Sequence, residues 1–435
     1  MDLSNLDDIP RRDHVVNPRA WFWPAYGLIL IAALWGGTEL ISSFMVPSYP
    51  ARELRPVSAE SVRQALARAF VEDPVLVPTY NDWGMRDRAR SFARPAGVKL
   101  RSVIVGDSFV EGFFVSAPLP EHMEQRWAAG GRTDIEAINF GVLGTNPQHY
   151  YYRIRDIALL LKPDVIVVVV YAGNDFIAKS LDGPGDLPWI TERPLPSLLG
   201  AVAPRTTWLA VNRLGLSEVG RGSPRTPNEL ATLAEWTQMP PAERLDLVSR
   251  YVHEHYQPTV PLPAVREILG RNDGSFWGAF EKRPVDREYL PGWLPSGMVN
   301  WETGTWEMAR DMAHADRTAG MAKVHETLSW LVGAEKLARA NGTRLIVALA
   351  PTGMVDPRYV DYWRPWPNYY SFSLDADARH RRLAETLREK KMEFVDLRDA
   401  LLGKSGMYRL SDGHWTEQGT VFVADILARA VEAPR

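Results

Sequence analysis

The chain has 435 residues, 46% of them hydrophobic, enough to bury a substantial core and to form two or three domains. Its net charge of −3 supplies no basic excess for nucleic acid, and the absence of cysteine excludes disulfides, thiolate chemistry and cysteine-ligated metal. Nine histidines remain, but none falls in an HExxH or similar ligand spacing, and the pair His253 and His255 reads as surface rather than as a metal site.

In chain order, a short head (1–19) comes first, then an anchor (20–46). Ala20 to Thr38 carry no charge over 19 residues, which as a helix spans about 28 Å, close to the hydrocarbon thickness of a bilayer. Trp21, Trp23 and Tyr26 gather at its amino end as an interfacial belt does, and Phe44 and Tyr49 suit the far side. The stretch is longer than a usual signal-peptide core, and SSFMVPSYPA offers no small-x-small cleavage site, so a retained single-pass anchor is expected. Glu39 falls at its exit, where a carboxylate reaches headgroups or a partner helix. Arg11, Arg12 and Arg19 before the span, against Arg52 and Arg55 after it, give a weak charge asymmetry. The globular mass follows the span, so the expected topology has a cytoplasmic head and a periplasmic or extracellular body on a bacterial inner membrane.

A linker (47–95) with an amphipathic helix near 58–70 leads to a regular alternation of elements. Strands are predicted at 98–105, 134–140, 165–171, 344–351 and 392–397. Helices are predicted at 119–129, 147–161, 319–340 and 376–390, with a last one from near Thr416. The Val165–Tyr171 run, apolar and β-branched without alternation, marks a strand covered on both faces. Asn146 before Pro147 caps its helix. The pattern implies a three-layer α/β fold around a mainly parallel five-stranded sheet, in two parts (96–180 and 311–435). Between them, residues 181–310 break the rhythm. This segment is rich in proline and holds Trp189, Trp208, Trp236, Trp277, Trp293, Trp301 and Trp306; it reads as an insertion, partly helical around 227–250, packed beside or over the sheet's carboxyl edge. Its tryptophans fit either anchors for a loop-rich core or sugar-stacking surfaces.

In open α/β sheets, ligands sit beyond the carboxyl ends of the strands. Those ends carry Gly106-Asp107-Ser108, Gly141-Val142-Leu143-Gly144-Thr145-Asn146 and Ala172-Gly173-Asn174-Asp175, and Ser411-Asp412-Gly413-His414-Trp415 precedes the last helix. A serine hydroxyl becomes a nucleophile when a base takes its proton, and imidazole is suited to that near neutral pH. Ser108 and His414 are therefore candidate nucleophile and base, with Asp412 to orient the ring. The backbone N–H groups of Ser108 and Gly144 and the amide of Asn174 can hold an oxyanion. Each motif alone also fits an ordinary turn; the argument is their joint occurrence in this order.

The set resembles the SGNH hydrolases, or GDSL-like esterases, on VIVGDSF (Ser108), NFGVLGTN (Gly144), YAGND (Asn174) and SDGHW (His414), across roughly residues 98–180 and 320–433. The resemblance implies a flavodoxin-like sheet, Ser108 as nucleophile, His414 as base, Gly144 and Asn174 in the oxyanion hole, and no metal or organic cofactor. The chain departs from the family in having one residue between Asp412 and His414 rather than two, and FVEGF after the serine. Gly141 competes with Gly144 for the oxyanion role. The Asp-x-His-Trp form joined to an anchor is similar to SGNH-like proteins of bacterial exopolysaccharide O-acetylation. That implies an esterase or acetyltransferase acting on an extracytoplasmic polysaccharide, with membrane and envelope polysaccharide-assembly proteins as partners. Two other readings stand beside it: a lipid esterase or lysophospholipase, and a non-catalytic scaffold subunit of an envelope polysaccharide machine.

Overall fold

A computed structural model describes residues 18–45, 81, 85–112, 115–176, 203, 206, 239–271, 293–304, 311–410 and 413–434. The expected helix at 58–70, the first part of that at 227–250, Asp412, and Trp189, Trp208, Trp236, Trp277 and Trp306 lie outside the described residues. The chain divides into two compact units, residues 1–47 with 190–222, and residues 48–189 with 223–435.

In the first unit, helix α1 (Pro18–Met45) contains a stretch, Phe22–Ser42, long and apolar enough to cross a membrane. The side chains of that stretch are mostly exposed. Phe22, Trp23 and Tyr26 form a ring cluster at its amino end. The Glu39 carboxylate, expected at headgroup level, accepts the backbone N–H of Thr206 at 2.9 Å, and the Ser42 and Thr206 hydroxyls are 3.1 Å apart. Residues 190–222 therefore group with α1.

The second unit holds a five-stranded, wholly parallel sheet: β1 (Leu100–Gly106), β2 (Ile135–Gly141), β3 (Val165–Tyr171), β4 (Arg344–Ala350) and β5 (Phe394–Asp396). The spatial order is β2-β1-β3-β4-β5, the flavodoxin-like arrangement, and chain direction across the sheet reverses between β1 and β3. Strand side chains alternate between two buried layers. Ile104, Val167, Val169, Ile346 and Ala348 face one core; Val103, Val105, Val168, Val170 and Val347 face the other. Each large aliphatic side chain buried this way contributes roughly 1.5–3 kcal/mol relative to exposure, which explains why the strands read as unbroken apolar runs.

Following α2 (Ser108–Glu111), helix α3 (Leu119–Ala129) covers the first face together with residues of the chain's last helix, while α4 (Pro147–Asp156) covers the second. The helix predicted at 147–161 is interrupted at Ile157, and residues 158–161 form a 3₁₀ turn. That turn aligns Ala158 and Leu161, three apart, toward the core, and ends at Lys162, which Pro163 bars from the helical region.

Within the insertion, α5 (Pro241–His255), α6 (Leu262–Leu269) and α7 (Trp293–Thr303) are helical, more than its composition suggested. Val252, Ile268 and Val299 join the first-face core beside Trp363 and Trp366, and the Trp366 indole donates to the Ile268 carbonyl. His253 bonds the Val260 carbonyl at the end of α5, and His255 is exposed.

The chain continues through α8 (Met312–Thr318), α9 (Met321–Ala340), α10 (Pro357–Trp363) and α11 (Pro367–Glu389). It closes with α12 (Leu397–Leu401) and α13 (Glu417–Glu432). Helix α11 begins about two turns before the charged stretch that announced it, because Pro367 suits a first helical position and Leu374 and Ala378 pack on α8 residue Ala315.

Candidate active site

Strand β1 delivers Ser108 through a sharp turn. Asp107 caps α2, its carboxylate accepting the Phe109 N–H at 3.0 Å, and Gly112 ends the helix after four residues at φ +84, donating to the Ser108 carbonyl. Gly106 leaves room for Val110, which a β-carbon would strike. Ser108 is buried to 3% exposure.

His414 arrives on a hairpin. Tyr408 and Trp415 form an antiparallel bridge, the Arg409 N–H donates to the His414 carbonyl, and Gly413 turns at φ +77. The wholly buried Asp356 anchors the base of this hairpin by accepting the N–H groups of Gly406, Met407 and Tyr408. The result is a contact between residues 306 apart in sequence: His414 Nε2 lies 2.7 Å from Ser108 Oγ. The imidazole stacks on Phe109, with ring centroids 4.8 Å apart, and Trp415 meets the same ring edge-on. When the serine hydroxyl donates to Nε2, the ring proton sits on Nδ1, the tautomer a general base needs. Asp412 lies outside the described residues, so the site's described part is the Ser108–His414 pair.

After β2, the chain carries both candidate oxyanion glycines. Gly141 packs so closely on the Val110–Glu111 backbone that no β-carbon fits, whereas Gly144 has open space around it and adopts φ +72. Gly141 is thus a packing glycine and Gly144 a turn glycine. The loop is fixed by Glu111, which accepts the Leu143 N–H at 2.6 Å, and by the Asn146 cap of α4.

After β3, Asn174 Nδ2 donates to Asp107 Oδ2 at 3.0 Å, which brings the GND motif to the residue preceding Ser108. The amide keeps a second N–H for another acceptor. Its Oδ1 is buried with no hydrogen-bond partner among the described residues. Asp175 makes its own hydrogen bonds, accepting the Tyr171 N–H and the Tyr150 hydroxyl.

The electrostatics go beyond what the motifs announced. Burial pushes the Asp107 carboxyl up, opposed by its hydrogen bonds to Phe109 and Asn174 and by the nearby His414. Burial, reinforced by Asp107, pushes Asp175 well above the carboxylate range, and Arg153, which donates to the Gly106 and Phe140 carbonyls, is pushed down to about 10 by burial. Perturbed groups gathered at the end of a sheet are a signature of functional sites. Among the described residues no three carboxylate or imidazole groups converge as metal ligands would.

Asp107 and Tyr171 were not singled out by the sequence, although both stand inside motifs that were. The letter D between G and S carries no sign that its carboxylate turns inward, and a tyrosine ending an apolar strand looks like core.

No family model and no curated protein matches the chain. Among solved structures it is similar to a GDSL-like lipase of Bacteroides thetaiotaomicron, at 11% identity and a TM-score of 0.32, covering 78% of this chain and 90% of that one. It is also similar to a proposed acylhydrolase of Bacteroides fragilis, at 12% identity and a TM-score of 0.31, covering 84% and 96% respectively.

Proposed function

We propose that this chain is a serine O-acyl esterase or O-acyltransferase. The observation that carries the reading is the 2.7 Å contact of Ser108 Oγ with His414 Nε2 at the carboxyl edge of the sheet, beside the strand-order reversal where open α/β proteins bind ligands. Ser108 attacks the acyl carbonyl while His414 takes its proton. The tetrahedral oxyanion is held by the N–H groups of Ser108 and Gly144 and the second N–H of Asn174. Collapse expels the alcohol, protonated by the imidazolium, and leaves an acyl-enzyme. Water or a sugar hydroxyl, deprotonated by His414, then completes hydrolysis or transfer. Asp412 orients the imidazole in this scheme, and the Asp107 carboxylate favours the imidazolium electrostatically.

The substrate we propose is an acetylated glycan outside the cytoplasm. This rests on the apolar helix α1, read as a single-pass anchor, and on the Asp-x-His-Trp form of the terminal motif. In that setting the anchor holds the enzyme at the membrane, beside envelope polysaccharide-assembly proteins.

The test is labelling of the folded protein with a fluorophosphonate probe, followed by mass identification of the modified residue. Modification of Ser108, abolished in His414→Ala, is expected. A folded protein left unlabelled, with Ser108→Ala fully functional in cells, overturns the enzymatic reading in favour of a scaffold subunit. Turnover of long-chain esters with none of acetylated sugars replaces the glycan by a lipid substrate.

A further inference from the structure

Three separate loops must meet for Ser108, Asn174 and His414 to share a site, and one side chain borders two of them directly and the third through Phe109. Tyr171 is the last residue of β3 and is half-buried. Its ring centroid lies 4.1 Å from that of Phe109, the residue after Ser108. The same ring occupies the space a β-carbon on Gly173, the residue before Asn174, would need. At Gly413, the residue before His414, the group nearest the β-carbon position is the Tyr359 hydroxyl at 2.9 Å, with that of Tyr171 farther off at 3.7 Å.

The approaches to Phe109 and Gly173 are thus each made one residue away from a site residue, in the segments that follow β1 and β3. Phe109 extends the chain of contacts, since the His414 ring stacks on it. Gly173 sharpens the argument. Unlike Gly413, it does not occupy the left-handed region, so its backbone tolerates alanine, and the three atoms nearest an added methyl all belong to the Tyr171 side chain. A ring wedged between two loops, one of them carrying the Phe109 ring on which His414 stacks, fixes their separation sterically, and displacement of reacting groups by about 1 Å costs on the order of 100-fold in rate.

We propose that Tyr171 is a positioning residue, a wedge whose ring sets the relative placement of the Ser108, Asn174 and His414 loops. The inference rests on the serine acyl-transfer reading. It assigns Tyr171 no contact with substrate, so its loss lowers kcat and leaves KM in place.

The experiment compares wild type, Tyr171→Phe, Tyr171→Ala, Gly173→Ala and the double variant Tyr171→Ala/Gly173→Ala, using kcat and KM on a soluble acetyl ester and the rate of fluorophosphonate labelling at Ser108. Tyr171→Phe keeps the ring and is expected within about twofold of wild type. Tyr171→Ala and Gly173→Ala are each expected to lose roughly 30- to 100-fold in kcat, in line with the cost of such a displacement, with KM changed less than about threefold. In the double variant the added methyl meets an empty space, so it performs no worse than Tyr171→Ala alone.

Wild-type kcat in Tyr171→Ala, a loss borne by KM, a Tyr171→Phe defect as large as that of alanine, or fully multiplying losses in the double variant overturns the proposal. Should Tyr171→Ala not fold, Tyr171→Leu and Gly173→Ala carry the same comparison. Absence of label on wild-type Ser108 sinks the acyl-transfer reading itself, whereas a labelled wild type with an indifferent Tyr171→Ala sinks only the wedge.

Discussion

The two ends of strand β1 both bury charge, and they do so in opposite ways. At its start, Arg101 is wholly buried, pairs with Glu136, and donates to the carbonyls of Ser91, Phe92, Ala93 and Leu161. Arg90, beside it, binds Asp87, Glu124 and the Ala137 carbonyl. At its end, two buried carboxyls, Asp107 and Asp175, face each other's charge, and Asn174 Oδ1 lacks a partner among the described residues. A charge closed on every side fixes architecture, whereas one left partly unmatched keeps free energy available for a reacting group. Stability and the proposed chemistry thus lie about 20 Å apart on one strand, from its seven-residue length.

Substitutions at the two ends should therefore separate the two properties. The largest effect is expected from Ser108→Ala or His414→Ala, each lowering turnover of an acetyl ester by at least about 10³-fold. Neither should lower the urea unfolding free energy by more than about 1.5 kcal/mol, the scale of one lost hydrogen bond. Arg101→Met should do the reverse. With the Glu136 carboxylate left to the longer Arg90 pair at 3.7 Å, about 3 kcal/mol of stability is lost, while the fraction that remains folded keeps the wild-type kcat. A large rate defect in that folded fraction would erase the contrast between the two ends.

Asp107→Asn tests the reactive end more finely. Because burial raises the folded-state pKa above 3.8, the unfolded chain releases this proton first, and stability falls as pH rises from about 4 through the folded value. Asparagine keeps the capping oxygen and removes that charge. It should stabilise the protein by about 1 kcal/mol at pH 7, an advantage that fades below pH 4, and lower kcat about tenfold through loss of the charge facing His414.

The smallest effect concerns the clasp between α3 and α13. Glu417 accepts from the Ser116 N–H and hydroxyl and from His122, whose other ring nitrogen meets Gln125. Although burial works against it, hydrogen bonding to His122 and Ser116 holds the Glu417 carboxyl down to about 2. Burial lowers His122, but the bond and charge of Glu417, with a smaller contribution from Glu121, raise it on balance. The carboxylate's contribution is complete above its unfolded value of 4.5 and lost as pH falls toward 2. That of the imidazole is complete below its unfolded value of 6.5 and lost as pH rises through its raised folded value. Glu417→Gln should therefore cost most between pH 4.5 and 6.5, by about 0.5 kcal/mol for so exposed a pair, and a flat difference between pH 3 and 8 would remove the clasp from the stability argument.

Much of the sheet was legible because parallel strands covered on both faces leave unbroken β-branched runs, as in Val165–Tyr171. The final helix was legible from its Thr416 cap, and the first motif from the glycine before Asp107. What escaped depends on neighbours that sequence order does not reveal. Gly141 and Gly144 look alike in the chain, and only the approach of the Val110–Glu111 backbone tells packing from turn. The insertion's tryptophans suggested its own anchors, yet its described helices bury valine, isoleucine and leucine against Trp363 and Trp366, which follow it in the chain. Asp107 and Tyr171 owe their roles to loops from other strands.

The separation of Ser108 from its base has a consequence in time. Strand β1 and its serine leave the ribosome hundreds of residues before the hairpin carrying His414, and that hairpin rests on Asp356 and on α13, the last helix described. Contacts so distant in sequence form late, after the sheet that supports them. Until they do, Ser108 is an ordinary alcohol of negligible nucleophilicity. On the proposed mechanism, a nascent or half-folded chain therefore cannot acylate itself or strip esters from what it meets, and reactivity appears only when the whole architecture has closed.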